Sequence, residues 1–369
     1  MTYKAIDPSD YEQQLRRKAE TIAERFKEIG VAQFDTYRSE PIHYRMRAEF
    51  RVWHEGDDLY YIMFNPETRE KIRKDEFLPG SQLINQLMQA VREFVLDKPV
   101  LRNKLFQVDF LTTTSNQAIV SVLYHRQLDD EWRAAAERLR QHLQQLAEVV
   151  HLVGRARKQK VVLGSESVIE NVQVNGKVYQ SIQTENSFTQ PNAGINEKMI
   201  GWVTQHSGST DHDLLELYCG NGNFTLPLAD HFRQVLATEI SKSSVAAARE
   251  SATLNNIDNV TVVRMSAEDF SEALQGRLTS RRIEEADIGR FDCRTVLVDP
   301  PRAGLDELAL SLVRRYSRII YVSCNPETLI DNVKSLSDEF YVSAAAIFDQ
   351  FPYTDHIESG IILERKSAS

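Results

Sequence analysis

From about residue 195 onward the chain alternates apolar strand, turn and helix, and this alternation constrains the fold more than any other feature. Strand-like runs fall at 213–218, 235–240, 260–264, 294–299, 318–323 and 359–364, with helix-compatible stretches between them. Parallel strands need long crossovers, which helices supply, so the pattern predicts an α/β fold with a doubly wound, mostly parallel, Rossmann-like sheet. Such a sheet places its ligand crevice outside the carboxyl ends of its strands. The stretch 275–291, with Arg281, Arg282, Glu284 and Glu285, reads as a solvated insertion.

The first half has a different pattern. Tyr11, Leu15, Ile22, Phe26 and Ile29 stand at near-helical spacing. Residues 42–64 alternate in polarity around a turn at Glu55-Gly56-Asp57-Asp58, which predicts a hairpin. Leu83, Ile84, Leu87, Met88, Val91, Phe94 and Val95 form one apolar stripe, so 82–96 is expected to be an amphipathic helix. Strands near 105–111 and 118–124, a helix near 130–147 and further strands to about 183 complete a smaller α+β domain. The expected division is therefore 1–180 and 181–369, and 369 residues suffice for two cores.

The net charge of −9 is unevenly spread: residues 1–180 hold 27 Lys and Arg against 26 Asp and Glu, the remainder 17 against 27. Two basic groups stand in the first half, Arg38, Arg45, Arg47 and Arg51, then Arg155, Arg157, Lys158 and Lys160. Such groups can track a phosphate backbone or can simply be solvated faces. Cys219, Cys293 and Cys324 are too few and too dispersed for a disulfide framework, a Cys-x-x-Cys metal pair or an iron–sulfur cluster. The N-terminus lacks an apolar signal core and no run reaches membrane-spanning length, so a cytoplasmic protein without a membrane is expected.

Three strand ends carry chemistry. Ile319 to Ser323 leads into Cys324, and Asn325-Pro326-Glu327-Thr328 follows as a helix start, with a capping Asn, Pro at the first position and Glu in the first turn. A helix N-terminus favours a thiolate, so Cys324 is a nucleophile candidate; the other reading is a small buried hydrophobe. Leu214 to Tyr218 runs into Cys219-Gly220-Asn221-Gly222-Asn223, and the next strand ends at Glu239. With no third glycine at Thr225 the dinucleotide fingerprint fails, yet an acid 19 residues after Gly220 suits ribose hydroxyls. This arrangement resembles that of S-adenosylmethionine-dependent methyltransferases. The third strand end delivers Asp299 to a stiff loop, Pro300-Pro301-Arg302-Ala303-Gly304.

Together with Asn186-Ser187-Phe188-Thr189-Gln190-Pro191-Asn192, Ile42 to Arg51, and Asp349-Gln350-Phe351-Pro352-Tyr353-Thr354 through Glu358, these motifs resemble the RNA uracil-5-methyltransferases, in particular their bacterial tRNA branch. The resemblance spans nearly the whole chain. It implies methylation of carbon 5 of the T-loop uridine in tRNA, with the tRNA-like T-loop of transfer-messenger RNA as a further candidate, and no obligate protein partner. It implies Cys324 as nucleophile and Glu358 as general base, where local sequence alone reads a sheet-edge acid. Gln190, Tyr218, Gly220, Asn223, Glu239 and Asp299 would bind S-adenosylmethionine or lie beside it, with no metal. Arg45, Arg47, Arg51, Phe106 and His125 are candidates for RNA contacts; Phe106 read from sequence alone is a core residue on a strand.

Overall fold

A computed structural model describes residues 6–65, 68–208 and 211–367. The chain forms two compact units that interleave along the sequence. One comprises the chain up to Pro8 with Glu40–Asn171 and Gln183–Ala193; the other comprises Ser9–Ser39, Val172–Ile182 and Gly194–Ser369. The units are thus not the sequential halves 1–180 and 181–369. A hairpin of Ser167–Val174 and Lys177–Thr184 carries the chain from one unit to the other and back.

The larger unit is built on an eight-stranded sheet in the order Asp35–Tyr37, Phe340–Phe348, Glu358–Arg365, Arg318–Ser323, Cys293–Val298, Asp213–Leu217, Val235–Glu239, Val260–Arg264. Only Glu358–Arg365 runs antiparallel to its neighbours; the other pairings are parallel. Side chains alternate between the two faces, and both faces are covered. Leu215, Leu217, Val296, Val298, Ile319 and Tyr321 belong to one buried cluster, and Leu214, Leu297, Ile320, Val322 and Ile362 to another. This is why the strands read as continuous apolar runs rather than as alternating ones. Chain order reverses between Asp213–Leu217 and Cys293–Val298, the switch point at which an open α/β sheet binds its ligand.

The stretch 275–291 is not a solvated insertion. It folds as a helix, Arg281–Ala286, and a 3₁₀ turn, Ile288–Arg290, which bury Ile283, Ala286 and Ile288 in the main core. Its charges occupy the outer face and conceal three core positions. The strands Asp35–Tyr37 and Phe340–Phe348 were also not apparent in the sequence. Among the described residues no helix is long and apolar enough to cross a membrane.

The helix Tyr11–Phe26 belongs to the larger unit because Ile22, Phe26 and Val31 are buried in its core with Leu329, Ile330, Val333 and Leu336. Each such burial is worth on the order of 1.5–3 kcal/mol. The same helix carries a buried charge. Lys18 Nζ lies 2.6 Å from Asp349 Oδ1, and Asp349 is fully buried. Lys18 also donates to the carbonyls of Phe351 and His356, while Gln14 donates to Asp349 and accepts from the Tyr353 amide. The loop 349–356 leading to Glu358 is therefore fastened to the N-terminal helix.

In the smaller unit a seven-stranded sheet runs in the order Lys71–Lys74, Asp58–Phe64, Arg47–Glu55, Leu105–Thr112, Gln117–Tyr124, Val149–Ala156, Gln159–Leu163. All pairings are antiparallel except Gln117–Tyr124 with Val149–Ala156, whose connection contains the helix Asp130–Leu143. That helix and Gln82–Leu96 pack Trp132, Leu139, Leu87, Met88 and Val91 onto one sheet face around Phe50, Val108 and Phe110. Arg51, Trp53, Tyr60 and Lys71 stand on the other face, and Lys71 Nζ lies 3.2 Å over the Trp53 ring.

Removing one partner of a buried ion pair leaves the other charge unpaired, so Lys18→Met is expected to lower the unfolding free energy by about 3–5 kcal/mol. Denaturant titration checks this, and the double variant Lys18→Met/Asp349→Leu is expected to recover most of the loss.

Candidate active site

Four neighbouring strand ends of the larger unit carry the candidate side chains. Leu217 pairs with Val298, and Val298 with Tyr321, so Tyr218, Asp299 and Cys324 emerge at one edge of the sheet. The antiparallel ladder of the last strand ends at Ser323 opposite Ser359. One further step sets Cys324 beside Glu358. The Cys324 loop is rigid: Ser323 Oγ accepts from the Asn325 amide at 3.1 Å, and the Asn325 side chain accepts from Glu327 N at 3.2 Å. Asn325 and Thr328 also donate to the Arg302 carbonyl, which ties the Asp299–Gly304 loop to the same helix start.

The electrostatics differ from the expectation of a thiolate. The Cys324 thiol pKa is raised, first by half-burial, then by the charges of Glu358 and Asp299. Arg302 and a backbone N–H act in the opposite direction and do not prevail. Glu358 is 7% exposed, and burial, then Asp299, pushes its pKa up to about 8 against Arg302. Burial pushes Asp299 up to about 7. Arg302 Nη2 donates to His356 Nδ1 at 2.6 Å, and burial, then Arg302, lowers the His356 pKa, which suits a neutral acceptor ring.

The turn after Asp213–Leu217 forms the other wall. Tyr218 and Gly220 both have positive φ, 61° and 56°, and the space where a Gly220 Cβ would point is open. Glu239, at the end of the next strand, accepts from Gly220 N at 3.1 Å and from Ser241 N at 2.7 Å, so its carboxylate is oriented at the rim. Burial, then Asp306, pushes Tyr218 up to about 12. Asn223 and Asn196 exchange two amide hydrogen bonds of 2.8 Å, which locks the glycine loop to the helix Ala193–Gln205.

Glu216 was not among the sequence candidates, although it supplies the acid four residues before Gly220. It is 1% exposed and accepts from Thr225 Oγ1 at 2.6 Å, while its other oxygen has no hydrogen-bond partner among the described residues. Burial, opposed by Thr225 and assisted by Asp299, pushes it up to about 8. Three buried carboxyls with raised pKa, an open glycine turn and the oriented Glu239 carboxylate could hold a ligand with a ribose and a positive centre. A sulfonium nucleoside has both. Among the described residues no group of three or more His, Cys, Asp or Glu is arranged to hold a metal ion.

Gln190 lies half-buried on Gln183–Ala193, in the smaller unit. There too the RNA candidates separate into two sets. Phe106 sits at a bulge in its strand, stacked on His125 at 3.8 Å between centroids, with the Arg51 guanidinium 5.4 Å over its ring. Phe106 is thus not a core residue, and the other two side chains are exposed. Arg45 instead donates to the Arg47 carbonyl, and Arg47 to the Ser187 carbonyl and Glu49, so both serve the fold around 186–192.

The family model for tRNA (uracil-5-)-methyltransferase matches residues 10–366. A tRNA/tmRNA (uracil-C(5))-methyltransferase of Idiomarina loihiensis is 65% identical over 367 residues, covering 100% of both chains. One of the same name from Shewanella denitrificans is 50% identical, covering 99% of this chain and 100% of its own. The crystal structure of Pyrococcus abyssi tRNA (uracil-54, C5)-methyltransferase in complex with S-adenosyl-L-homocysteine superposes with a TM-score of 0.72 at 20% identity, covering 96% of this chain and 83% of that one. The larger unit thus has the fold of an S-adenosylmethionine-dependent methyltransferase. The chain belongs to the tRNA (uracil-5-)-methyltransferase family.

Proposed function

We propose that this enzyme methylates carbon 5 of the T-loop uridine of tRNA, and of the tRNA-like T-loop of transfer-messenger RNA, through a covalent adduct between Cys324 and carbon 6 of the base. The observation that carries this reading is the ladder register that sets Cys324 next to Glu358 at the switch-point crevice. The relatives' printed activity supports the substrate class.

S-adenosylmethionine supplies an electrophilic methyl group on a sulfonium. Glu239 would hold its ribose, Tyr218 and Gly220 would shape the turn beside it, and Asp299 and Glu216 would supply the carboxyls toward its positive charge. Asn223 would fix that loop through Asn196. Carbon 5 of uracil is too weak a nucleophile to react unaided. The Cys324 sulfur bonds to carbon 6, the electrons of the 5,6 double bond move to oxygen 4 as an enolate, and carbon 5 becomes nucleophilic. Once carbon 5 carries the methyl group, Glu358 takes its proton, the double bond re-forms and the carbon–sulfur bond breaks. A carboxylate with a pKa near 8 is a stronger base than an ordinary Glu, and its burial keeps solvent from the adduct. The flipped base leaves a gap in the loop, and the Phe106–His125 stack offers a platform for its neighbours. The reaction belongs in the cytoplasm, with its RNA substrates.

Tritiated S-adenosylmethionine with unmodified tRNA transcript, followed by nucleoside digestion, tests the reading directly. Label in T-loop 5-methyluridine is expected, and a transcript that stays unlabelled overturns the proposal. Cys324→Ala is expected to bind tRNA and give neither a covalent band nor product. Glu358→Gln is expected to accumulate the methylated adduct on denaturing gels, with release slowed by about 10²–10⁴-fold; free product at the normal rate would remove Glu358 from the role of base.

The thiol must ionise before it adds, and its pKa is raised, so the single-turnover rate of adduct formation is expected to climb with pH above neutrality. Glu358→Gln removes a charge that raises this pKa, so the midpoint of that profile is expected to move to lower pH. A rapid-quench pH series on both proteins measures the shift.

A further inference from the structure

A second basic feature of the smaller unit lies beside the Phe106–His125 stack. His125, Arg126, Gln127, Arg157, Lys158 and Gln159 line a cavity of about 610 Å³. They come from two loops, the exit of the strand Gln117–Tyr124 and the two-residue turn between Val149–Ala156 and Gln159–Leu163. Gln159 joins the loops by donating to the Leu128 carbonyl at 2.6 Å and accepting from the Leu128 amide at 2.9 Å. The cavity is therefore built, not a chance gap between mobile tips.

Its charge is one-sided. The hairpin bears four cations, and two are neutralised: Arg155 pairs with Glu185 at 2.5 Å, and Lys160 with Glu166 at 2.6 Å. Arg157 and Lys158, at the turn, are exposed and make no ion pair among the described residues. Arg126 is positioned by the carbonyls of Asn103, Val100 and Gln127, and the carboxylate it approaches, the exposed Asp129, is 3.8 Å away. No carboxylate lines the cavity. Lys158 also holds a left-handed φ of 60°, a conformation in which Gly or Asn costs less.

We propose that this cavity is a phosphate subsite: it takes the phosphodiester backbone of the RNA strand whose base is held at Phe106 and His125. His125 belongs to both features, so one side chain joins the stacked pair to the cavity. The volume admits one or two backbone phosphates with their counterions displaced, and guanidinium, ammonium and amide groups are the donors that phosphate oxygens accept from. The inference rests on the reading that the chain acts on tRNA.

The test is filter binding of unmodified tRNA transcript between 50 and 200 mM salt, with steady-state methylation alongside. The double variant Arg157→Ser/Lys158→Asn keeps a residue tolerant of positive φ at 158. It is expected to weaken binding by about tenfold at the lower salt and to reduce the slope of log K against log salt by about 1–2, one phosphate per lost cation. The defect is expected in KM for tRNA and not in kcat. Arg138→Ala, an exposed cation of the same unit outside the cavity, serves as the charge control and is expected to bind within twofold of wild type. Should the double variant fail to fold, Arg157→Ser alone reads the same slope. Wild-type affinity and slope in the folded variant would overturn the subsite and leave the proposed activity intact. A wild-type protein that neither binds nor methylates tRNA would overturn both.

Discussion

The pairing of the last strand governs the site. Glu358–Arg365 enters an otherwise parallel sheet in the opposite sense, between Arg318–Ser323 and Phe340–Phe348. A parallel strand in that slot would begin at the far edge and carry its first residue away from the crevice. The antiparallel sense brings the start of one strand to the end of its neighbour, and the Ser323–Ser359 register places a thiol and a carboxyl side by side. A slip of one residue would turn every side chain of the strand to the other face and bury the wrong set, so the core on both faces enforces the geometry of the candidate site. Ile361, Ile362 and Leu363 are each at most 1% exposed and pin that register.

That juxtaposition has an electrostatic consequence. The helix start at Asn325-Pro326 would by itself favour a thiolate, but two neighbouring carboxyls and partial burial outweigh it. Burial raises the pKa of Asp299, Glu216 and Glu358, and the charge of Asp299 adds to the rise at the two glutamates.

The N-terminal helix contributes to this arrangement from far away in sequence. Lys18 reaches Asp349 and two carbonyls of the loop ahead of Glu358, so the approach to the last strand is held by a residue over 300 positions earlier. The smaller unit treats its cations in two ways. Arg45, Arg47, Arg155 and Lys160 bond to carbonyls or carboxylates and serve the fold, whereas Arg51, Arg157 and Lys158 are exposed.

Much of this was legible in the chain itself, because the informative signals are local. Apolar runs at 213–218, 235–240, 260–264 and 318–323 became strands within a residue or so, and the Asn325-Pro326 helix start is a matter of adjacent side chains and backbone. The alternation of strand and helix was enough to predict the parallel sheet and its crevice, since crossover connections permit few alternatives. The sequence misled where a local pattern hid a distant partner. The charges of 281–285 masked Ile283, Ala286 and Ile288, which are core only because the sheet lies beneath them. Phe106 has the spacing of a core residue, and a bulge turns it outward. The membership of the N-terminal helix, the raised Cys324 pKa and the split between paired and unpaired cations depend on residues that only the folded chain brings together. Local propensity and periodicity determine elements and motif positions, while burial, register and long-range charge arise only when the chain has closed on itself.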